Sequence, residues 1–231
     1  MAEGFALWAN PSSPHAEGRK ARSLLEDARE RMKVALGWEG EVIFTSGASE
    51  AAEVAFNGSQ STEFGFVSEV EHAAINLAAF ENRKLPVLPN GSVDLFALRK
   101  AVDNRSLFPN ALDIGVLDVA VQQVNSETGN RQNLKEVKAA IPVVDDRLIV
   151  DCAQSVGKYA IPQEADLAII SAHKFGGPIG VGALLVKDYA MLNPSGGQER
   201  GYRRGTENLP SVLGMAAALE ACGDPYVAPE V

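Results

Sequence analysis

The sequence predicts an α/β fold built on a mostly parallel mixed sheet with helices on both faces, and three observations carry that reading. Short apolar runs alternate with amphipathic stretches along the chain, the βα rhythm of a parallel sheet. Polar residues with chemical uses stand where several of those runs stop, the end of an open α/β sheet at which ligands bind. The stretch from Gly176 to Gly182 is too short for a helical crossover, so Val181–Val186 is expected to run antiparallel to Leu167–Ser171.

Taken in order, Ser13 is expected to cap a helix with Pro14 at its first position, and the stripe Ala21, Leu24, Leu25, Ala28, Met32 carries it to about Leu36. Strands are predicted at Val42–Thr45, Gly65–Val67, Pro86–Leu88, Ile114–Val119, Leu148–Asp151, Leu167–Ser171 and Val181–Val186. Helices are predicted at Glu50–Asn57, Ala73–Glu81, Leu95–Val102, Leu134–Ala140 and Pro210–Ala221, and Asn90-Gly91 marks a tight turn. The chain carries no internal repeat, low-complexity stretch or linker. Residues 1–223 read as one domain, and residues 224–231 as a tail leading away from it.

Composition narrows the function classes. With 231 residues and 46% hydrophobic content, the chain can bury a sizeable core. Its 21 basic against 30 acidic residues leave a net charge of −9, which argues against nucleic acid or an anionic membrane as partner. No apolar stretch approaches the ~20 residues of a membrane span, and Met1-Ala2-Glu3-Gly4 lacks a basic start and a hydrophobic signal core. Two cysteines suit a reducing compartment, so a cytoplasmic location is expected.

Three segments carry chemistry. Ser171-Ala172-His173-Lys174 closes the run Leu167–Ile170 and precedes Phe175-Gly176-Gly177. A lysine there is either an ordinary solvated side chain or a covalent anchor, since a Schiff base with pyridoxal phosphate removes the costly buried charge. Asp151 closes the run Leu148–Val150. A carboxylate at that place either holds the ring proton of such a cofactor or caps a following helix. Gln154, three residues on, can reach the cofactor's phenolic oxygen. Finally, Thr45-Ser46-Gly47-Ala48-Ser49-Glu50 joins a short strand to an alanine-rich helix. Its backbone N–H groups and the Ser49 hydroxyl suit a phosphate, or Ser46 or Ser49 is simply a cap. The lysine of a nucleotide-binding P-loop is absent, which disfavours ATP and GTP.

Together these segments resemble the NifS-like cysteine desulfurases, a branch of the class V aminotransferase family and of the fold-type I pyridoxal-phosphate enzymes. The likeness starts at Asn10-Pro11-Ser12-Ser13-Pro14-His15 and passes through Glu71-His72, Asn125–Gly129 and Asp151–Lys158. It ends in Gly196-Gly197-Gln198-Glu199-Arg200 and Gly205-Thr206-Glu207-Asn208, the most diagnostic stretch for this branch. The resemblance implies the large cofactor-binding domain of that fold. Lys174 would be the Schiff-base lysine, Asp151 the partner of the ring nitrogen, and Gln154 the partner of the phenolic oxygen. His72 would lie over the ring and help move protons. Ala48, Ser49, Ser171 and His173 would hold the phosphate, the last two sharing one face of an extended strand. Thr206 would reach the phosphate of a neighbouring subunit, implying a homodimer. L-cysteine is the implied substrate, a sulfur-acceptor protein an implied partner, and iron–sulfur cluster assembly the implied context; no metal site is expected.

Three departures qualify this. Ser126 stands where the family usually has a second asparagine, a shorter contact to the cofactor. The family's entry segment is missing, with Met1 falling inside its first helix. The sequence reaches Val231 before the small domain that carries the nucleophilic cysteine and the carboxylate-binding arginine. Cys152 and Cys222 read as structural, so this chain alone is expected not to desulfurate cysteine. The competing readings are another class V enzyme, such as an aminotransferase or selenocysteine lyase, and a non-catalytic dimerisation or binding module.

Overall fold

The computed structural model describes residues 1–7, 9–57, 65–79, 83–104, 116–141, 143 and 145–222. Its strands are β1 (Glu41–Thr45), β2 (Gly65–Ser68), β3 (Arg83–Leu85), β4 (Asp118–Gln122), β5 (Arg147–Asp151), β6 (Leu167–Ser171) and β7 (Gly182–Val186). Its α-helices are α1 (Ala2–Leu7), α2 (Ala16–Leu36), α3 (Ala48–Asn57), α4 (Ala73–Ala78), α5 (Leu95–Asp103), α6 (Leu134–Ala139) and α7 (Leu209–Glu220). The strands form one seven-stranded sheet in the order β1-β7-β6-β5-β4-β2-β3. From β6 to β3 all neighbours are parallel, while β7 runs antiparallel to both β6 and β1. The mostly parallel mixed sheet and the reversed β7 are therefore as the sequence predicts.

Alternation along the strands makes two cores. Val42 and Phe44 of β1, Leu148 and Val150 of β5, and Ala168 and Ile170 of β6 pack against α2, α5, α6 and α7. Ile43, Ile149, Leu167 and Ile169 point the other way, onto α3 and α4. These strands are thus buried on both faces, which explains their nearly continuous apolar reading, whereas the edge strand β3 leaves Arg83 and Lys84 exposed. Truncating a fully buried leucine such as Leu148 to alanine costs about 2–5 kcal/mol. No helix among the described residues is long and apolar enough to cross a membrane.

Element boundaries differ from expectation at several places. His15, not Ser13, caps α2: its Nδ1 accepts from Gly18 N–H at 3.0 Å, leaving Pro14 outside the helix. The third strand is Arg83–Leu85 rather than Pro86–Leu88. Pro86 has no N–H to give a ladder, so pairing with β2 ends at Ser68↔Leu85. Beyond it, Val87 and Val93 bridge across the Asn90-Gly91 turn. The fourth strand runs from Asp118 to Gln122 instead of ending at Val119. Asp118 can begin a buried strand because Arg147 of β5 grips both its oxygens at 2.7 Å. The start of the expected Ile114–Val119 strand, the end of Ala73–Glu81 and the 224–231 tail lie outside the described residues. Helix α1 lies where the resemblance put the family's first helix; its Gly4 packs on Pro210, where a Cβ would lie 2.7 Å from Pro210 Cα.

The register lines up the strand ends. Gln122 is opposite Asp151, and both Thr45 and Ser171 are opposite Gly182. The chemistry-bearing residues therefore share one edge of the sheet.

Candidate active site

That edge opens into a cleft of about 480 Å³, within the ~300–1,000 Å³ range of small-molecule sites. Ala48, Ser49, His72 and Ser126 line it, as do Asp151, Gln154, Ser171, His173 and Lys174. Thr206 does not: it is exposed, and its carbonyl accepts from Arg203 Nη1 at 3.4 Å. A larger groove of about 710 Å³ between α2 and α7 holds none of these residues.

The first wall is the turn from β1 into α3. Gly182 allows this turn to lie against β7, since a Cβ there would fall 2.8 Å from Gly47 Cα and 2.6 Å from Ile170 O. The opening N–H groups of α3 have no intrahelical acceptor and face an anion seat. Glu50 would repel an anion if left unpaired. Burial pushes its carboxyl up, but donation from Ser46 N–H and from Arg203 Nε at 3.0 Å outweighs burial and holds it below the usual range.

The second wall follows β6. Ser171 and His173 meet, Oγ to Nδ1, at 3.0 Å. They do so across a tight helical turn, Ala172–Phe175, not along an extended strand as the sequence suggested. Gly177 N–H closes that turn on Ala172 O at 2.9 Å, and Gly176 ends it with φ 86°, a left-handed conformation that favours glycine. Lys174 is carried on the same turn and is exposed to the cleft.

Asp151 forms the floor. The helix-cap alternative fails, because among the described residues no helix begins after it; Oδ1 instead accepts from Ala153 N–H at 2.8 Å and fixes a turn. Burial raises its carboxyl above the ordinary range, only partly offset by Ala153 N–H and by the positive potentials of His72 and Lys174. Among the described residues it has no salt bridge. A half-buried acid without a salt bridge, in one cleft with a lysine and the free N–H groups of a helix start, fits a cationic ring with a phosphate arm, and so the donor set fits pyridoxal phosphate.

His72 stands at a helix start and at the cleft together. It caps α4, Nδ1 accepting from Ala74 N–H at 3.1 Å, and it lines the cleft. Ser126 donates to Glu127 Oε1 at 3.1 Å, whereas its neighbour Asn125 is buried and organises the loop through Glu127 and Thr128 N–H groups. Two groups escaped the sequence reading. Gln122 lines the cleft opposite Asp151. Glu71 is buried behind His72; its only signal was its place in the Glu71-His72 pair. The cysteines are structural as expected: burial pushes the thiols of Cys152 and Cys222 up, and Cys222 Sγ contacts Ala218 O at 3.2 Å. Among the described residues no cluster could hold a metal ion.

Comparison with known proteins agrees with this geometry. The chain is 34% identical over 241 residues to cysteine desulfurase IscS 1 of Archaeoglobus fulgidus, covering 95% of this chain and 59% of that one. It therefore spans less than two thirds of that curated relative. A NifS-like protein from Rickettsia africae superposes with a TM-score of 0.82 at 28% identity, covering 96% of this chain and 64% of that one. A structure described as SspA in complex with cysteine superposes at 0.78 with 28% identity, covering 95% and 68%. The family profile described as aminotransferase class-V matches residues 5–226. Its cysteine desulfurase members depend on pyridoxal phosphate, the cofactor the cleft fits. With a profile spanning nearly all its residues and a cleft of matching chemistry, this chain belongs to the aminotransferase class-V family.

Proposed function

We propose that residues 1–223 form the cofactor-binding domain of a cysteine desulfurase-like enzyme that takes sulfur from L-cysteine. The observation that carries this is the convergence of Lys174, Asp151 and the α3 N-terminus on one cleft. Bound there, pyridoxal phosphate supplies an electron sink for bonds at the substrate's α-carbon. The chain's residues do the rest. Lys174 anchors the cofactor through Nζ, and Asp151 holds the ring-nitrogen proton. Gln154 and Ser126 orient the ring by hydrogen bonding. Ala48 N–H, Ser49, Ser171 and His173 bind the phosphate. His72, its Nδ1 engaged by Ala74 N–H, presents Nε2 as the proton-carrying atom.

The cysteine substrate is supported by the cysteine-bound structural neighbour and by the relatives' names. Thr206 is exposed and does not line its own cleft, which supports a homodimer in which it completes the partner's phosphate seat. A cytoplasmic protein that passes sulfur to an acceptor completes the reading. Mixing the purified chain with pyridoxal phosphate, reducing with borohydride and mapping peptides tests it. Label on Lys174 is the expected result; label elsewhere, or none at saturating cofactor, overturns it.

A further inference from the structure

Glu71 is a buried acid that the proposed chemistry does not use. It lies past the end of β2, and its Oε1 accepts from Gln122 N–H at 2.8 Å. The backbone ladder between β2 and β4 stops at Val67↔Ala120, so this side chain continues it to the last residue of β4. Gln122 returns the contact, donating from Nε2 to Val70 O at 2.7 Å. Asn125 Nδ2 reaches the same carbonyl at 3.3 Å. Asn76 Nδ2 donates to Glu71 O at 2.9 Å and in turn accepts from Lys84 Nζ. The turn that carries His72 is thereby tied to the strand end that stands opposite Asp151.

The second carboxylate oxygen is anomalous. Glu71 is 7% exposed, and its Oε2 makes no hydrogen bond among the described residues. The ionisable groups facing it are Asp151 from β5 and Lys84 from β3, with His72 next in the chain. Burial raises the carboxyl to about 8, Asp151 adds to the rise, and Gln122 N–H, Ser68 and Lys84 oppose it. Two neighbouring acids with little to neutralise them share their charge unequally. The one nearer a cation keeps it.

We propose that Glu71 is a positioning residue: as a neutral acid it pins the His72 turn to the end of β4 and leaves Asp151 as the single carboxylate charge at the cofactor's ring. The inference rests on the cofactor-binding reading above. The Gln122 contact survives in either form; what sets them apart is Oε2, which is buried without a partner and holds a charge there only at the cost of desolvation.

The test compares wild type with Glu71→Gln, which preserves shape and the Gln122 contact but cannot ionise. Cofactor affinity is followed by fluorescence titration with pyridoxal phosphate from pH 6 to 9, and melting of the cofactor-free chain over the same range. In wild type, affinity is expected to fall by about fivefold across pH 7–9 beyond any change seen in Glu71→Gln, as a charge on the unpartnered Oε2 draws water into the turn. Cofactor-free wild type should lose melting temperature between pH 6 and 8, and Glu71→Gln should lack that slope. Parallel pH profiles in the two proteins overturn the proposal. Should Glu71→Gln not fold, side-chain ¹³C signals of glutamate-labelled wild type decide: one carboxyl titrating near pH 8 is expected, and all titrating below pH 6 overturns it. If wild type takes no cofactor at any pH, the cofactor-binding reading has itself failed. If it binds cofactor and the profiles coincide, only the role of Glu71 has.

Discussion

The Ser171 hydroxyl lies 3.0 Å from His173 Nδ1, so two candidate phosphate ligands brace one another across the turn that bears Lys174. Removing that hydroxyl takes away a donor and frees the ring. Ser171→Ala is expected to weaken pyridoxal phosphate binding by about 1.5–3 kcal/mol, the worth of a hydrogen bond to a charged group. Inorganic phosphate should compete less well in the same titration. Unchanged affinity for both would remove Ser171 from the phosphate seat.

Asp151 sets function against stability. Its folded-state acidity is weakened by burial, so its contribution is fully present below the unfolded value and is lost as pH rises through the folded one. Asp151→Asn is therefore expected to melt higher than wild type at pH 8 without cofactor. Carbon-acid chemistry in the loaded protein, read as hydrogen–deuterium exchange at the α-carbon of an amino acid, should drop at least about 100-fold. A variant that melts lower at pH 8, or exchanges normally, contradicts this assignment.

Arg29 of α2 is buried and grips both oxygens of Glu199 at 2.8 and 2.9 Å, and Phe44 N–H donates to one of those oxygens at 2.8 Å. Glu199→Ala takes away the bidentate partner and leaves the buried guanidinium with Glu26, at 3.0 Å from Nε, and the Val42 carbonyl. Chemical denaturation should show a loss of about 3–5 kcal/mol. A loss below about 1 kcal/mol would mean that water reaches Arg29.

Thr206 is exposed on a loop fastened to the cleft's first wall by Arg203 and Glu50. If a second copy receives it, the chain sediments as a dimer. Thr206→Ala should then weaken cofactor binding by about 1.5–3 kcal/mol while leaving the dimer intact. A monomer that binds cofactor as tightly as any variant would count against the shared site.

Neither thiol is placed to take sulfur. Cys152 is fully buried beneath Asp151, and burial pushes both cysteines away from the thiolate. The 231-residue chain is expected to release no sulfide from cysteine above the level of free pyridoxal phosphate, with Cys152→Ala and Cys222→Ala behaving alike. Turnover lost in one of those variants would identify that cysteine as a nucleophile.

The alternating apolar runs made the sheet legible, because strands buried on both faces admit few polar residues. Where the reading slipped, a partner distant in sequence was responsible. The sequence reading ends the fourth strand at Val119 because nothing local shows that Val121 and Gln122 pair with Val150 and Asp151 of β5. His15 displaces Ser13 as a cap because its ring, not its place in a ranking, reaches Gly18. Lys174, Asp151 and the Gly47 turn were legible as chemistry because each ends an apolar run. Glu71 was not, since nothing local tells a surface glutamate from one that continues a strand ladder with its side chain.

The placement of β7 has a consequence for how the protein is made. It is the last strand among the described residues, yet it lies between β1 and β6. Gly182 supports the β1–α3 turn and the end of β6 at once, so neither wall of the cleft can close until that late segment arrives. On the ribosome, β1 waits for its β7 partner until residues 182–186 have been made, and pairings between distant segments form slowly. Cofactor capture is therefore an event of the finished sheet: a nascent chain lacking residues 182–186 exposes the lysine without the seat that would hold its ligand.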